Sequence, residues 1–197
     1  PAKVVEGYAQ LSHSRAEDGA FVLGEDDAPV TLVIFEDFFC PHCQDLHPTV
    51  TQLIEAYVAT GAARYEFRFL ATAGGEQLNQ VARLLECAAA QRPAAFWEGH
   101  QLTYELMATD DFPEDPAPLY ADALDLDLDD LLACEPYAAQ YITDAAYANE
   151  LGVRGTPSIF IITADGEVYA AQTERSFDAL ARLIEQAKYG TPGGSEA

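Results

Sequence analysis

The sequence predicts an α/β fold interrupted by an inserted run of helices. Two observations carry this. A dense apolar run at residues 30–35, a helical period over 46–57 and an alternating run over 65–69 make a strand, a helix and a strand in succession. That is the pattern of a parallel βαβ unit. The stretch from about residue 75 to 152 then reads as helical almost throughout, before strand patterns resume at Ser158.

Each element follows from local pattern. Residues 1–20 show no strong period and read as a leading arm. "GEDDAPVTLVIFEDFF" is a turn followed by a strand, with Pro29 at the entry. An unbroken apolar run suits a central strand covered on both faces. In the next helix Leu46, Val50, Leu53, Ile54 and Tyr57 share one face. Pro48, lacking an N–H, predicts a kink there, and Gly61 a stop. In "ARYEFRFLAT", Tyr65, Phe67 and Phe69 point to one side of a strand and Glu66 and Arg68 to the other.

Within the helical stretch, Leu78, Val81, Ala82, Leu85 and Ala89 form one stripe. Phe96, Trp97, His100 and Tyr104 form a second. "DFPEDPAP" reads as a loop, and "LDDLLAC" and "AQYITDAAYANEL" as two further helices. Residues 158–163 and 167–170 make a hairpin around Asp165-Gly166. "SFDALARLIEQAKYG" closes the fold as an amphipathic helix with Ser176 as N-cap. The expected division is an arm (1–20), the first part of the α/β unit (21–74), a helical insertion (75–152), the second part (153–190) and a disordered tail (191–197).

Composition narrows the function. The chain has 197 residues, 49% of them hydrophobic, enough for a substantial core in one domain carrying an insertion. Thirty-three acidic side chains oppose ten basic ones, a net charge of -23. Such a surface disfavours nucleic acid and anionic membranes as partners. No apolar run approaches the roughly 20 residues that span a bilayer. The chain opens at Pro1 rather than Met, and a leader or anchor lying outside it is expected. Four cysteines permit two disulfides, which suits an oxidising compartment.

The chemistry concentrates in "EDFFCPHCQDLHP". Cys40-Pro41-His42-Cys43 follows a buried strand and opens a helix. A helix N-terminus presents unpaired N–H groups and the positive end of the macrodipole, which stabilise a thiolate at Cys40. His42 adds a donor or a positive charge nearby. Stabilising the thiolate stabilises the reduced form, so the Cys40–Cys43 disulfide becomes a stronger oxidant. Cys40 is then expected to be the exposed, attacked sulfur and Cys43, one turn deeper, the resolving one. A zinc site normally needs a second close pair, and Cys87 and Cys134 are far apart in sequence. A purely structural disulfide within C-x-x-C is the other alternative.

"FEDFFCPHC" followed far downstream by "GVRGTPSIFI" resembles the DsbA-like thiol–disulfide oxidoreductases of the thioredoxin-fold superfamily. "DAPVTLVIF" and "CAAAQRPAAFWEGHQLTY" extend the resemblance over residues 20–188. It implies a thioredoxin fold with an inserted α-helical domain. It implies a cis Thr156–Pro157 bond facing the redox pair, with the Thr156 backbone left to pair with an extended client. It further implies a structural disulfide between Cys87 and Cys134, no cofactor beyond the redox disulfide, and an extracytoplasmic location, in the periplasm or at the outer face of the cell membrane. The partners implied are reduced, unfolded client proteins and a quinone-linked membrane reoxidant, the protein itself being a monomer. Rival functions are a reductase or isomerase of the same fold, a redox-inert adaptor, and metal delivery through the two thiolates.

One position departs from the family. Many members carry a buried acid six residues before the first cysteine; here that residue is Ile34. Glu36 shares the parity of Ile34 along a strand and is the candidate for proton transfer with Cys43. His13, His47 and His100 have no metal-binding spacing. His47, a turn beyond Cys43, is a candidate for tuning the site, and His100 for packing.

Overall fold

The computed structural model describes residues 8–171 and 174–189. Residues 1–7 of the expected arm and the expected tail at 191–197 lie outside the described residues. Strand β3 (Val30–Glu36) is buried at all seven positions. It pairs in parallel with β4 (Arg64–Phe69) and antiparallel with β5 (Ser158–Thr163). Val30, Leu32 and Ile34 enter the main core, whereas Val33 and Phe35 meet Ala148 and Val153 on the opposite face. Two-sided burial explains why the run is continuously apolar.

One strand lies where a leading arm was expected, and a second, also unforeseen, directly follows it. β1 (His13–Arg15) and β2 (Phe21–Leu23) pair antiparallel, and β2 continues onto β4. Three residues are too few for alternation to show in sequence. With β6 (Val168–Ala171), the sheet order is β1-β2-β4-β3-β5-β6. The β5–β6 hairpin turns at Gly166, whose φ of 88° suits a residue without Cβ.

Helix α1 (Pro41–Leu53) links β3 to β4. It runs unbroken through Pro48, and the departure from α-helical bonding comes further on, in a π-helical turn at Ile54–Val58. Between β4 and β5 come α2 (Glu76–Gln91), α3 (Ala94–Thr109), α4 (Ala117–Ala123), α5 (Leu128–Cys134) and α6 (Gln140–Glu150). α4 escaped the sequence analysis because it begins inside "DFPEDPAP", expected to be a loop, with Pro118 in its first turn, where a proline costs no helical hydrogen bond. It is anchored by Tyr120, whose hydroxyl lies 2.6 Å from Thr103 Oγ1 of α3. α3 is buried at every position from Ala95 to Tyr104. At Gly99 an added Cβ would run into the Leu85 side chain of α2, so this glycine permits the close approach of the two helices. α7 (Phe177–Tyr189) covers β3, β5 and β6, and Ser176 caps it by accepting from the Ala179 N–H at 3.3 Å.

The helical run is fastened to the sheet by charge. Glu66 and Arg68 occupy the face of β4 opposite Tyr65, Phe67 and Phe69, as the alternation predicts, yet both are buried. Arg68 donates to Glu66 (2.7 Å), to Asp18 and to Asp144 of α6 (3.1 Å). Asp144 also accepts from the Phe69 N–H at 3.0 Å and from Gln140 at 3.0 Å. Burial raises the Asp144 carboxyl to about 6 against these stabilising partners.

Cys87 of α2 and Cys134 of α5 are joined by a disulfide across 47 positions. Replacing both by alanine is expected to lower stability by about 4 kcal/mol, from the chain entropy returned to the unfolded state. Urea unfolding of the double variant beside the unaltered protein measures this.

Candidate active site

β3 delivers the chain to the site. After Glu36 a short turn closes through Cys40 N–H to Asp37 O at 2.9 Å, and Cys40 becomes the N-cap of α1. Its carbonyl accepts from the N–H groups of Cys43 (2.9 Å) and Gln44 (3.1 Å). Pro41 takes the first helical position, where an N–H would have no helical partner. Cys40 therefore sits at the positive end of a helix of 13 residues. Pro41 and His42 are exposed, but Cys40, expected to be exposed, is itself buried at 6% because the Thr156 segment covers it, and Cys43, one turn inward, is fully buried.

Both sulfurs are free thiols. Cys40 Sγ donates to the carbonyl of Thr156 at 3.4 Å, and the Asp37 N–H points at Cys43 Sγ at 3.5 Å. The Thr156–Pro157 peptide bond is cis. Residues separated by 116 positions thus meet at one sulfur. Burial, reinforced by the negative charge of Glu36, pushes the Cys43 thiol far up.

Glu36 is fully buried on the same side of β3 as Ile34, which packs in the core. Tyr65 of β4 donates to one carboxylate oxygen at 2.5 Å, and Tyr104 of α3 donates to the other. Burial raises Glu36 to about 7, and the two phenols hold it down from going higher. Its charge in turn adds to the effect of burial in keeping Tyr65 and Tyr104 protonated. His47 stacks on Tyr104, ring centroids 3.9 Å apart, and burial lowers it to about 4. At neutral pH it is therefore an uncharged neighbour of the Glu36 pair. His100 is buried among Phe38, Phe67, Phe96, Trp97 and Tyr104, a packing role. Phe38 belongs to the core, and half-buried Phe39 lies edge-on to Phe112.

Sequence reasoning brought Cys40, Cys43, Glu36, Thr156 and Pro157 together. It missed Tyr65 and Tyr104, and the carboxylate of Asp37. That carboxylate is fully buried and accepts four hydrogen bonds, from Phe39 N (3.0 Å), Thr72 N (2.8 Å), Thr72 Oγ1 (2.9 Å) and Gly74 N (2.8 Å). Nothing in the local pattern marks Thr72, because its partners come from other parts of the chain. Among the described residues, no group of three or more His, Cys, Asp and Glu is placed to hold a metal ion.

The sequence profile described as Thioredoxin matches residues 16–186. The chain belongs to the thioredoxin family. Its fold is of the DsbA-like kind, with helices α2–α6 intervening between β4 and β5. The oxidised crystal structure of BdbD from Bacillus subtilis superposes with a TM-score of 0.72 at 23% identity, covering 91% of this chain and 98% of that one. Among sequences, Disulfide bond formation protein D of Bacillus subtilis is 25% identical over 172 residues, covering 81% of this chain and 75% of that protein. Na(+)/H(+) antiporter NhaA 3 of Salinispora tropica is 37% identical over 161 residues, 79% of this chain. The thioredoxin-family chain spans only 24% of that antiporter's length.

The Glu36 environment predicts a pH signature. A folded-state value near 7, against 4.5 when unfolded, means the folded protein holds this proton more tightly. The stability it supplies is complete below about 4.5 and is lost as pH rises through 7. Glu36→Gln, which cannot ionise, is expected to lose less stability than the unaltered protein between pH 5 and pH 8. The difference is on the order of 3 kcal/mol, and urea unfolding of both proteins at the two pH values measures it.

Proposed function

We propose that this protein is a thiol–disulfide oxidoreductase that donates the Cys40–Cys43 disulfide to reduced, unfolded extracytoplasmic proteins. The observation that carries it is the placement of the two sulfurs. Cys40 stands at a helix N-terminus against the Thr156 carbonyl, and Cys43 is buried one turn deeper beside a carboxyl group. The first suits an exchanging sulfur, the second a sulfur that leaves and returns within the protein.

In the oxidised protein a client thiolate attacks Cys40 Sγ. The Cys40–Cys43 bond breaks, a mixed disulfide forms, and Cys43 leaves as a thiolate. With its thiol pushed so far up, Cys43 takes a proton at once. Glu36, poised near 7, is the source and recovers its proton from solvent. The client's second thiolate then attacks the client sulfur of the mixed disulfide and releases Cys40 as a thiolate. Two electrons have passed from client to protein, Cys43 has gained one proton by way of Glu36, and Cys40 is left as a thiolate. Pro41 and His42 tune Cys40, and the backbone around Thr156 and Pro157 receives the client strand.

In this scheme residues 21–74 and 153–190 carry the chemistry, and the helical insertion, 75–152, supplies Tyr104 and one wall of the Glu36 pocket. The protein acts as a monomer, and a quinone-linked membrane protein restores the disulfide. No described helix is long and apolar enough to cross a membrane.

Equilibration in graded glutathione buffers, with the Cys40–Cys43 and Cys87–Cys134 pairs assigned separately by mass, tests the reading. A strongly oxidising equilibrium for Cys40–Cys43 is expected. A value near the reducing end typical of thioredoxin, about -270 mV, would make the protein a reductase. Cys43→Ala, first loaded as the mixed disulfide of Cys40 with glutathione, is expected to exchange glutathione for a reduced single-thiol client and hold it as a stable Cys40–client disulfide, and Cys40→Ala to form none, as read by non-reducing gel and mass.

A further inference from the structure

We infer that Asp37 is a positioning residue, which, through Thr72, orders the Thr156 segment and thereby sets how firmly the Thr156 carbonyl is held against Cys40. The inference deepens the proposed oxidoreductase activity and rests on that reading for its functional meaning. Its geometry is independent of it.

Asp37 touches the site in three ways. Its carbonyl accepts from the Cys40 N–H, and its N–H points at Cys43 Sγ. Its carboxylate gathers the segment after β4 through Thr72 and Gly74. The fit is close. A Cβ at Gly74 would lie 2.7 Å from Asp37 Oδ1 and 2.5 Å from the Phe39 ring, so the segment approaches this carboxylate only because residue 74 is glycine.

From Thr72 the link continues across the chain. Thr72 Oγ1 lies 2.7 Å from Thr156 Oγ1. The direction of that bond follows from hydrogen counting. An ionised carboxylate only accepts, and a threonine hydroxyl has one hydrogen. Thr72 spends its hydrogen on Asp37, so the hydroxyl of Thr156 must donate to Thr72. The Thr156 side chain is thereby fixed, and with it the carbonyl that faces Cys40 Sγ at 3.4 Å.

That carbonyl works against the helix terminus. It accepts from the Cys40 S–H and so favours the protonated sulfur, whereas the N-terminus of α1 favours the thiolate. A firmly held carbonyl restrains Cys40; a loosened one frees it. Asp37 controls the restraint without meeting a client.

Thr72→Val separates this role from folding. Thr72 is exposed, valine has the same shape, and the Thr72 N–H bond to Asp37 survives. The measurement is the rate at which iodoacetamide alkylates reduced Cys40 at pH 6.5, read by mass, in Thr72→Val, Thr156→Val and the double variant. Thr72→Val is expected to lower its thermal midpoint less than Asp37→Asn does and to be alkylated about three- to tenfold faster, the effect of one hydrogen bond. In the Thr156→Val background the same change should add nothing, because the link is already cut. Asp37→Asn should accelerate alkylation in the same direction and lower the thermal midpoint, since an amide offers one oxygen where four donors converge.

An unchanged rate in Thr72→Val, or effects of Thr72→Val and Thr156→Val that multiply, would overturn the inference. Alkylation needs neither client nor exchange. Failure of the oxidoreductase reading is seen separately, as failure of the unaltered, oxidised protein to oxidise a reduced dithiol peptide.

Discussion

The site depends on the burial of β3 on both faces. A strand packed against the main core through Val30, Leu32 and Ile34, and against α6 and its neighbours through Val33 and Phe35, has no freedom of register. Its C-terminal end is therefore a fixed point. Glu36 is its last residue, and Asp37 and the start of α1 at Pro41 follow within five residues of it. Each inherits its direction from the strand: Glu36 by parity into the core, and Asp37 by the turn that carries its side chain toward the segment after β4. The cysteines start from the same rigid end, and contacts with Thr156 and the core then hold them.

Around that end the protein buries several carboxyl groups in a chain already carrying a large negative charge. Each is answered differently, and the answer decides its behaviour. Asp144 meets a guanidinium and an amide N–H, so it fastens α6 to β4. Asp37 meets four neutral donors and orders loops. Glu36 meets only two phenols, weak company for a charge out of water, and its proton is exchangeable near neutrality. One type of group thus fastens a helix, gathers a loop and, in the proposed mechanism, carries a proton, according to what is hydrogen-bonded to it.

The parts legible in the sequence were those written in short range. The apolar run of β3, the period of α1 and the alternation of β4 sit in contiguous windows. Cys-Pro-His-Cys with a distant Thr-Pro named the pair and the segment it faces. The substitution of Ile34 for the family's acid directed attention to Glu36, and the structure places that residue in the pocket beside Cys43. What escaped was too short, masked by prolines or too distant. β1 and β2 have three residues each, too few to declare a period, and α4 begins inside a stretch expected to be a loop. Tyr104 reaches Glu36 across 68 positions, and Thr72 reaches Thr156 across 84. Such contacts are decided by how α3 and the segment after β4 dock, which no local pattern records.

The span between Cys40 and Thr156 has a consequence for the biosynthesis of the chain. Synthesis proceeds from the N-terminus, so Cys40, Cys43 and Cys87 emerge while most of the helical run, Cys134 and Thr156 are still to be made. The closure that brings Thr156 to Cys40 spans 116 positions, and contacts of such separation form late because their loop entropy must first be overcome. Until then the first two thiols lack the carbonyl that restrains one of them and the Tyr104 phenol that completes the pocket beside the other. The nascent chain is thus a thiol-bearing client of the kind this protein is proposed to serve, and it becomes a catalyst only when its last strands arrive.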